Sequence, residues 1–259
     1  MHLINKKKVS FFSFLLLNFV VLLSGCATSQ INECDTANID PIEQINRKFD
    51  VFNETLDKYL MKPIAENYVI YTPRPLRTGV TNFFDNVSYL NVILNSLLQG
   101  KLDQGLSDVF RFVFNSAIGI GGLFDVATEM GLGKHNEDLG QTFAVWGSSQ
   151  GAYLNLPVYG PNTVRDAPNL VTSTSLNPIT YISSAVLWPV SALNLINKRA
   201  NLLETTKIRD EAAIDRYSFT REAYLQQREY LIHDGSPPAE GYNSIFDEQP
   251  EDEPVLIIE

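Results

Sequence analysis

The sequence predicts a mostly α-helical protein built from amphipathic and apolar helices, with room for one short β-hairpin. Three observations support this fold class. Apolar residues recur at spacings of three and four along much of the chain, and prolines and glycines divide it into helix-sized segments. Only the stretch from Thr142 to Pro161, which is rich in aromatics and glycines, is typical of a hairpin.

The N-terminus has the pattern of a bacterial lipoprotein signal. Three lysines, Lys6 to Lys8, precede an apolar run from Val9 to Leu23 that is too short for a comfortable transmembrane helix. The sequence "LSGC" then ends at Cys26 and resembles a lipobox, in which cleavage leaves the cysteine as the first, acylated residue. An ordinary secretory signal with an accidental cysteine is the weaker alternative, because charge, core length and small residues all agree.

These features predict a signal peptide over residues 1–25 and a lipidated tether over residues 26–39. In the lipoprotein pattern an aspartate after the cysteine favours the inner membrane, and this chain has Ala27 there, so we expect the outer membrane and its periplasmic side. The other cysteine, Cys34, is predicted to be a free thiol in the tether.

The helices are predicted in the following order. Asp40-Pro41 is typical of a capped helix start, and the apolar residues Ile42, Ile45, Phe49, Phe52, Leu56 and Tyr59 follow on one face. This spacing predicts one amphipathic helix of about five turns. Further helices are predicted over Pro63–Tyr71, Arg77–Val87, Tyr89–Gln99 and Asp103–Asn115, with Gly100 ending the third of them and Asp103 as a plausible cap of the fourth.

The second half begins with few charges and ends with many. From Leu139 to Asn197, 59 residues contain only two charged side chains, Arg165 and Asp166, where about eleven would be expected at average composition. The polar positions there are Ser, Thr, Asn and Gln, which favours contact with a membrane over the alternative of an ordinary buried core. Within this region Leu176 to Asn197 is interrupted by prolines, so we expect helices inside or along a membrane rather than one straight span.

The C-terminal third is different. Leu202 to Ile232 predicts a charged amphipathic helix pair, with Tyr217, Tyr224 and Tyr230 on its apolar side. The helical domain is therefore predicted over residues 40–234. Residues 235–259 contain Ser, Pro, Gly and acids but no Lys or Arg, which predicts a disordered acidic tail.

Composition excludes several kinds of function. The formal net charge is −10, and removal of the three signal lysines makes it −13, which disfavours nucleic-acid binding. Only His135 and His233 remain after the signal, without HExxH or paired cysteines, so we expect no metal site and no cofactor. No GxxxxGK[ST] motif is present, so the chain is not expected to use ATP.

Two glycine motifs could indicate chemistry. "SAIGIGGLFDVA", Ser116 to Ala127, begins like the GxGxxG of a dinucleotide site, but Phe124 occupies the third glycine position and a helical pattern precedes it. "GSSQG" matches GxSxG, the nucleophile elbow of lipases, with Ser149 as nucleophile. The elbow needs a strand before the serine and a helix after it. Thr142 to Trp146 could be the strand, but Leu156-Pro157 and Gly160-Pro161 follow too soon for a good helix, so a lipid esterase is kept only as the alternative function.

Several blocks of residues, in order, resemble the MlaA family, also called VacJ, of outer-membrane phospholipid-binding lipoproteins. The resemblance extends from Asp40 to His233. Its blocks are "DPIEQINRKFDVFNETLDKYLMKPIAENY", "NFFDN", "LNSLLQGK", "RFVFNSAIGIGGLFDVA", "EDLGQTFAVWG" and "GAYLNLPVYGPNTVRD". The chain departs from the family in having Ala167-Pro168 where the family often has a glycine, and in Ser149, which is not a family feature.

The resemblance implies a ring-like helical bundle lying in the outer membrane beside a trimeric porin. A polar channel through the ring would let phospholipids leave the outer leaflet for a soluble periplasmic carrier, MlaC, and an ATP-driven inner-membrane complex would supply direction. The family brings no catalytic residues, so no enzyme is expected. A porin-associated scaffold without lipid flux is a further alternative.

The candidate lipid-route or channel-shaping residues come from these blocks and from the charge-poor region. They are Asn82, Phe83, Asn115, Gly119, Gly121, Gly122, Asp125, Arg165 and Asp166. Two choices stay open here. Asp125 either caps the next helix or faces the lipid route, and Arg165 and Asp166 either contact headgroups or pair with each other, the second being favoured.

Overall fold

The computed structural model describes residues 39–237. The predicted signal peptide, Cys26, Cys34 and most of the predicted acidic tail lie outside these residues. The described part contains ten α-helices and a hairpin, here numbered in chain order: α1 Glu43–Leu56, α2 Lys62–Tyr71, α3 Arg74–Leu98, α4 Leu102–Ala117, α5 Val126–Glu129, α6 Leu139–Val145, β1 Tyr153–Leu156, β2 Gly160–Thr163, α7 Asn169–Ser175, α8 Ser184–Asn201, α9 Leu203–Ala212 and α10 Arg216–Ile232. The mostly helical prediction with one short hairpin is confirmed.

The first two predicted helices form one continuous rod. A π-helical turn, Asp57–Met61, joins α1 to α2, and the N–H of Lys62 donates to the carbonyl of Asp57, five residues earlier. Proline lacks an N–H and clashes with the carbonyl four residues before it in an α-helix, so the wider turn accommodates Pro63 without a break. The predicted helix Pro63–Tyr71 is therefore confirmed as α2, but it continues from α1 through the π-helical turn.

Helix α3 is also longer than predicted. It runs unbroken for 25 residues through the region where two helices, Arg77–Val87 and Tyr89–Gln99, were expected. Gly100 follows its end with φ of 78°, as a helix-terminating glycine does. Helix α4 confirms the next prediction, but its N-cap residue is Lys101 without a side-chain cap, so Asp103 lies in the first turn and does not cap the helix.

The amphipathic helices turn their polar sides inward. In α1 the only buried residue is Asn46, whereas Ile45, Phe49 and Phe52 of the predicted apolar face are exposed. In α4 the buried residues are Gly105, Asp108, Arg111 and Asn115, and the exposed apolar residues are Leu102, Leu106, Phe110 and Val113. The two sets lie on opposite faces of α4, so this helix has the reverse of a water-soluble arrangement.

The same inversion holds over the described residues as a whole. Nine hydrophobic residues are buried there, against 18 polar or charged ones. Large apolar side chains such as Trp188 and Ile70 are more than 70% exposed. In a soluble domain buried polar groups are the minority, so this surface is suited to an apolar surrounding.

The hairpin lies within a frame of helices. Its antiparallel register pairs Tyr153 with Thr163 and Leu156 with Gly160. The side-chain amide of Asn46 on α1 continues the ladder: its Nδ2 donates to the carbonyl of Tyr153 at 3.0 Å, and its Oδ1 accepts from the N–H of Asn155 at 2.9 Å. Helix α10 packs on the other strand, so the hairpin connects α1 to α10.

The charge-poor region contains short helices and one longer one. Pro178 begins a 3₁₀ turn, Pro178–Tyr181, and Pro189 lies inside α8 rather than interrupting it. Among residues 39–237, no helix combines the length and apolar character needed to cross a bilayer. The predicted helix pair at the C-terminal end is confirmed as α9 and α10, although Tyr230 is half exposed whereas Tyr217 is buried.

Candidate functional site

The glycine stretch forms a tight loop between α4 and α5. Ile120, Gly121 and Gly122 all have positive φ, at 53°, 69° and 94°. The N–H groups of Gly121 and Gly122 donate to the carbonyls of Ser116 and Asn115, at 2.9 and 2.8 Å, so they close the end of α4. Because these donors already have backbone partners, the loop does not form a phosphate cradle.

Two of the glycines are required by close packing. A Cβ on Gly119 would lie 2.2 Å from the carbonyl oxygen of Phe124, and one on Gly122 would lie 2.5 Å from the Cβ of Asn86 on α3. Gly121, by contrast, has open space around it. Gly119 therefore lets the loop fold closely onto itself and onto the end of α4, and Gly122 lets it lie against α3, while Gly121 is needed only for its backbone angle.

Substitution of Gly119 gives a prediction for which the same substitution of Gly121 is the control. We expect Gly119→Ala to destabilise the protein by about 3 kcal/mol or more, because backbone atoms must move apart. Gly121→Ala should cost only about 1 kcal/mol for the left-handed backbone. Thermal unfolding of both variants in the same detergent measures this order. Equal melting temperatures for the two would contradict the packing described here.

The outer side of the loop is apolar. Ile118, Ile120, Leu123 and Phe124 are all at least 40% exposed. No charged side chain occurs in the loop before Asp125. The loop therefore has an apolar outer surface, and on its inner side it is attached to the adjoining helices by polar contacts.

Asp125 is the centre of that polar attachment. Its carboxylate accepts from the Nη2 of Arg111 at 2.6 Å through each oxygen, and from the Nδ2 of Asn115 at 3.0 Å. It also accepts from the N–H of Thr128 at 3.3 Å and so caps α5. Between the two roles left open by the sequence, this geometry supports capping. Arg111 itself is fully buried, and its Nη1 donates to the carbonyl of Leu132 at 2.5 Å.

The environment of Asp125 favours its ionised form. Burial acts to raise the pKa of this carboxyl, but hydrogen bonds from Thr128 and Asn115 and the positive charge of Arg111 outweigh it and lower the pKa to about 2. The unfolded chain has the higher pKa, near the ordinary 3.8. The ion pair therefore stabilises the fold above that value, and the stabilisation is lost as the pH falls from about 4 to about 2.

We predict a corresponding pH dependence of unfolding. The melting temperature of the wild type should exceed that of Asp125→Asn by a constant amount above about pH 5, and the difference should shrink between about pH 4 and 2. Thermal scans in detergent across this range measure it. A difference that persists unchanged at pH 2 would show that the ionised carboxylate does not stabilise the fold.

Helix α3 supplies the other wall of the loop. Asn82 Nδ2 donates to the carbonyl of Leu123 at 3.4 Å, and Asn86 Nδ2 donates to Ser116 Oγ at 2.9 Å. The half-buried Phe83 packs edge to face on Phe84, with ring centroids 5.2 Å apart. Seven of the candidate residues, namely Asn82, Phe83, Asn115, Gly119, Gly121, Gly122 and Asp125, thus lie on α3, on α4 and in the adjoining loop.

Arg165 and Asp166 lie elsewhere, in a second polar cluster. Their side chains are in contact, with Arg165 Nε 3.3 Å from Asp166 Oδ1, but the shorter bonds come from α10. Arg228 Nη2 donates to Asp166 at 3.0 Å, and Arg228 also donates to Asp138 at 2.6 Å, while Tyr224 donates to Asp166 at 2.8 Å. Nothing in the sequence indicates this role of Arg228, because it is 62 residues from Asp166 and lies in a charged segment typical of a solvent-facing helix.

A charged cavity of about 630 Å³ lies between α1, α9, α10 and the hairpin. Both signs of charge line it: the bases include Lys58, Arg199 and Arg209, and the acids include Asp50 and Asp57. The sequence analysis did not identify it, because its lining comes from three separate parts of the chain. Among residues 39–237 no group of three or more metal-ligating side chains is found.

The alternative of a nucleophile elbow at Ser149 is not supported by the structure. The residues proposed as its strand lie in or directly after α6, and a strand, beginning at Tyr153, follows where the elbow needs a helix. Ser149 is exposed in the connecting segment, and His233 is bonded to the carbonyl of Glu229 within its own turn. The serine therefore lacks the backbone geometry that activates a nucleophile in esterases.

Comparison with known proteins supports one family. The model of the MlaA lipoprotein family matches residues 38–231. Two relatives bear the name intermembrane phospholipid transport system lipoprotein MlaA: one from Shigella flexneri is 34% identical and one from Escherichia coli 32% identical, and each alignment covers 86% of this chain and 90% of the relative.

A solved structure is similar in fold. It comes from the work "Structural basis for maintenance of bacterial outer membrane lipid asymmetry" and superimposes with a TM-score of 0.66 at 30% identity, covering 74% of this chain and 98% of its own. The family match spans most of the chain, and sequence and fold agree. The chain therefore belongs to the MlaA lipoprotein family.

Proposed function

We propose that this protein removes phospholipids misplaced in the outer leaflet of the outer membrane and passes them to a periplasmic carrier, without catalysing a reaction. Such retrograde transport maintains the lipid asymmetry of the membrane. The relatives named above are components of an intermembrane phospholipid transport system, and the solved relative comes from work on outer-membrane lipid asymmetry.

The observation that carries this proposal is the inverted polarity of the helices. In α4 the buried face contains Asp108, Arg111 and Asn115, while Leu106 and Phe110 are more than half exposed. A helix satisfies its own backbone hydrogen bonds, so such a bundle can lie in hydrocarbon and still keep a polar interior. A polar interior enclosed by an apolar surface would shield a headgroup from the hydrocarbon while the lipid leaves the membrane.

The free energy that a phospholipid needs to leave the membrane without such a route is large. A phospholipid has some thirty methylenes, and at about 0.8 kcal/mol each, exposing its tails to water costs about 25 kcal/mol. We place the route beside the seven candidate residues of α3, α4 and their loop and through the charged cavity of about 630 Å³, where both signs of charge suit a zwitterionic headgroup. Arg165 and Asp166 would line it only if their ion pairs opened.

The proposal includes an anchor and two protein partners. Residues 1–25 would be the signal peptide that is removed, residues 26–39 would be the tether, and the acylated Cys26 would hold the protein to the periplasmic side of the outer membrane. A trimeric porin would flank the ring, and a soluble carrier of the MlaC type would receive the lipid. The two partner assignments rest on membership of the MlaA lipoprotein family.

A cellular measurement tests the proposed function. Deletion of the gene should increase phospholipid at the cell surface, measured by the yield of an outer-leaflet acyltransferase reaction. The wild-type gene should restore the low level, and Cys26→Ala should not, if it remains abundant but unanchored. Unchanged surface phospholipid on deletion would contradict the proposal and favour a porin-associated scaffold.

Ser149→Ala separates transport from hydrolysis. Because Ser149 is exposed and lies outside any elbow geometry, we expect the variant to keep surface phospholipid at the wild-type level, within about twofold. Ser148→Ala is the matched control in the same segment. Loss of function in Ser149→Ala alone would support an esterase instead.

A further inference from the structure

Two arginines stand out by having no carboxylate partner. Residues 39–237 contain ten arginines, and eight of them form ion pairs; within this part of the chain Arg74 and Arg77 do not. The Nε of Arg77 donates to the carbonyl of Thr72 at 3.2 Å, and no further hydrogen bond of either guanidinium is found among the described residues. In an acidic chain these two groups are available to an external anion.

Both arginines line the same cavity. Its volume is about 350 Å³, and its lining residues are Arg74, Arg77, Thr78, Thr81, Asn82 and Asn201. No acidic side chain is among them. This differs from the larger cavity of about 630 Å³, whose lining includes both acids and bases. The smaller cavity is therefore electrostatically suited to a ligand with net negative charge.

The floor of this cavity is fixed by amide and hydroxyl groups. Thr81 Oγ1 accepts from Asn201 Nδ2 at 3.1 Å and from the buried Asn197 Nδ2 at 2.8 Å, which joins α3 to the C-terminal end of α8. On the other side, Asn82 donates to the carbonyl of Leu123 in the glycine loop. The arginines thus project from a wall whose shape is set by side chains on two helices and a loop.

Exposed apolar side chains lie close to the two arginines in the chain, outside the lining of the cavity. Ile70, Tyr71 and Leu76 flank the arginines and are more than 60% exposed. Beyond Asn82, the loop residue Phe124 is 60% exposed. A guanidinium pair with exposed apolar residues close to it in the chain fits a ligand that has an anionic head and hydrocarbon tails, rather than a free ion.

We propose that the Arg74/Arg77 cavity binds the phosphate of an anionic phospholipid headgroup. Guanidinium groups match phosphate oxygens with paired hydrogen bonds, and the lack of an acidic lining residue leaves nothing to pair with the ammonium of a zwitterionic lipid. The site therefore prefers phosphatidylglycerol over phosphatidylethanolamine. This inference rests on the proposed transport function and adds a headgroup preference to it.

Native mass spectrometry of the full protein, with its acylated Cys26, in detergent tests the site. The probes are dioleoylphosphatidylglycerol, dioleoylphosphatidylethanolamine and inorganic phosphate, each added to protein from which bound phospholipid has been removed. We expect the first lipid to bind tightest, and Arg74→Gln/Arg77→Gln to raise its Kd about tenfold or more. Arg74→Lys/Arg77→Lys, which keeps the charge but not the fork, should lie between.

The matched control is Lys48→Gln/Lys207→Gln, which removes the same charge from exposed positions on α1 and α9 and should leave the Kd unchanged. The site would be overturned if both double variants lost the same amount of affinity for the lipid, or if Arg74→Gln/Arg77→Gln lost none. Displacement of the lipid by inorganic phosphate at comparable concentration would overturn the lipid assignment. The single variant Arg74→Gln, at an exposed position, repeats the test should the double variant fail to fold.

Failure of the site and failure of transport give different results. Wild-type protein that transfers lipid to a carrier but shows no dependence on the two arginines would leave the proposed function intact and refute the site. Wild-type protein that binds lipid at the arginines and transfers none would refute the function while leaving the site.

Discussion

Arg111→Met should be among the most damaging single substitutions in this protein, with a loss of about 3–5 kcal/mol of unfolding free energy. Arg111 is fully buried and donates to both oxygens of Asp125, to Thr128 and to the carbonyl of Leu132. Methionine fills a similar volume but leaves the partly buried carboxylate with only the half-exposed Lys134, 3.7 Å away, as a countercharge. Thermal unfolding in detergent, with the amount of protein recovered from membranes as a second readout, measures the loss.

The double variant Arg111→Met/Asp125→Leu is the control for this prediction. It removes both charges, so the cost of leaving the partly buried carboxylate without Arg111 disappears, and we expect it to regain a large part of the lost stability. If the double variant is as unstable as the single one, the loss of stability is due to the packing of the methionine and not to the broken ion pair.

Lysines on the exposed face of α4 should strongly weaken attachment to a bilayer. Leu106 and Phe110 lie one turn apart and are 55% and 53% exposed. A lysine in the hydrocarbon costs about 2.5–3.5 kcal/mol by insertion scales, so Leu106→Lys/Phe110→Lys should reduce partitioning into vesicles by about a hundredfold or more. Flotation with vesicles measures it in a Cys26→Ala background, where the acyl anchor does not mask the effect.

The control adds the same two charges elsewhere. Gln226→Lys/Gln227→Lys changes exposed polar positions on α10 and should leave flotation unaltered. Flotation of both double variants at the level of the Cys26→Ala protein would mean that the exposed apolar face of α4 does not contact lipid. A similar loss in both would indicate that net charge, rather than the position of the lysines, controls binding.

The sequence predicted where most helices lie, but it did not predict which face of each helix is buried. Periodicity identified α1 and α4, but the same spacing fits a helix with its apolar face inward or outward, because periodicity does not reveal the surrounding medium. The lack of charges from Leu139 to Asn197 indicated that medium, and the exposed Trp188 of α8 agrees with it. The π-turn before Pro63 was not predictable, since the same residues are typical of a new helix start.

The candidate site was predicted in part. The loop glycines and Asn82 came from family blocks, and the structure brings seven of the nine candidate residues to one place. The partners of the acids were missed: Arg111 looked like one more residue of an apolar helix, and Arg228 like a surface charge. Pairing across 62 residues, as between Asp166 and Arg228, has no local signal in a single sequence.

Transfer of labelled phospholipid from proteoliposomes to a purified periplasmic carrier tests the central claim most directly. The claim is that the polar interior gives the headgroup a covered path out of the membrane. The account predicts that vesicles containing the wild-type protein deliver lipid to the carrier faster than protein-free vesicles, and that Arg111→Met reduces delivery while Ser149→Ala does not. Delivery at the protein-free rate by folded wild-type protein would contradict it.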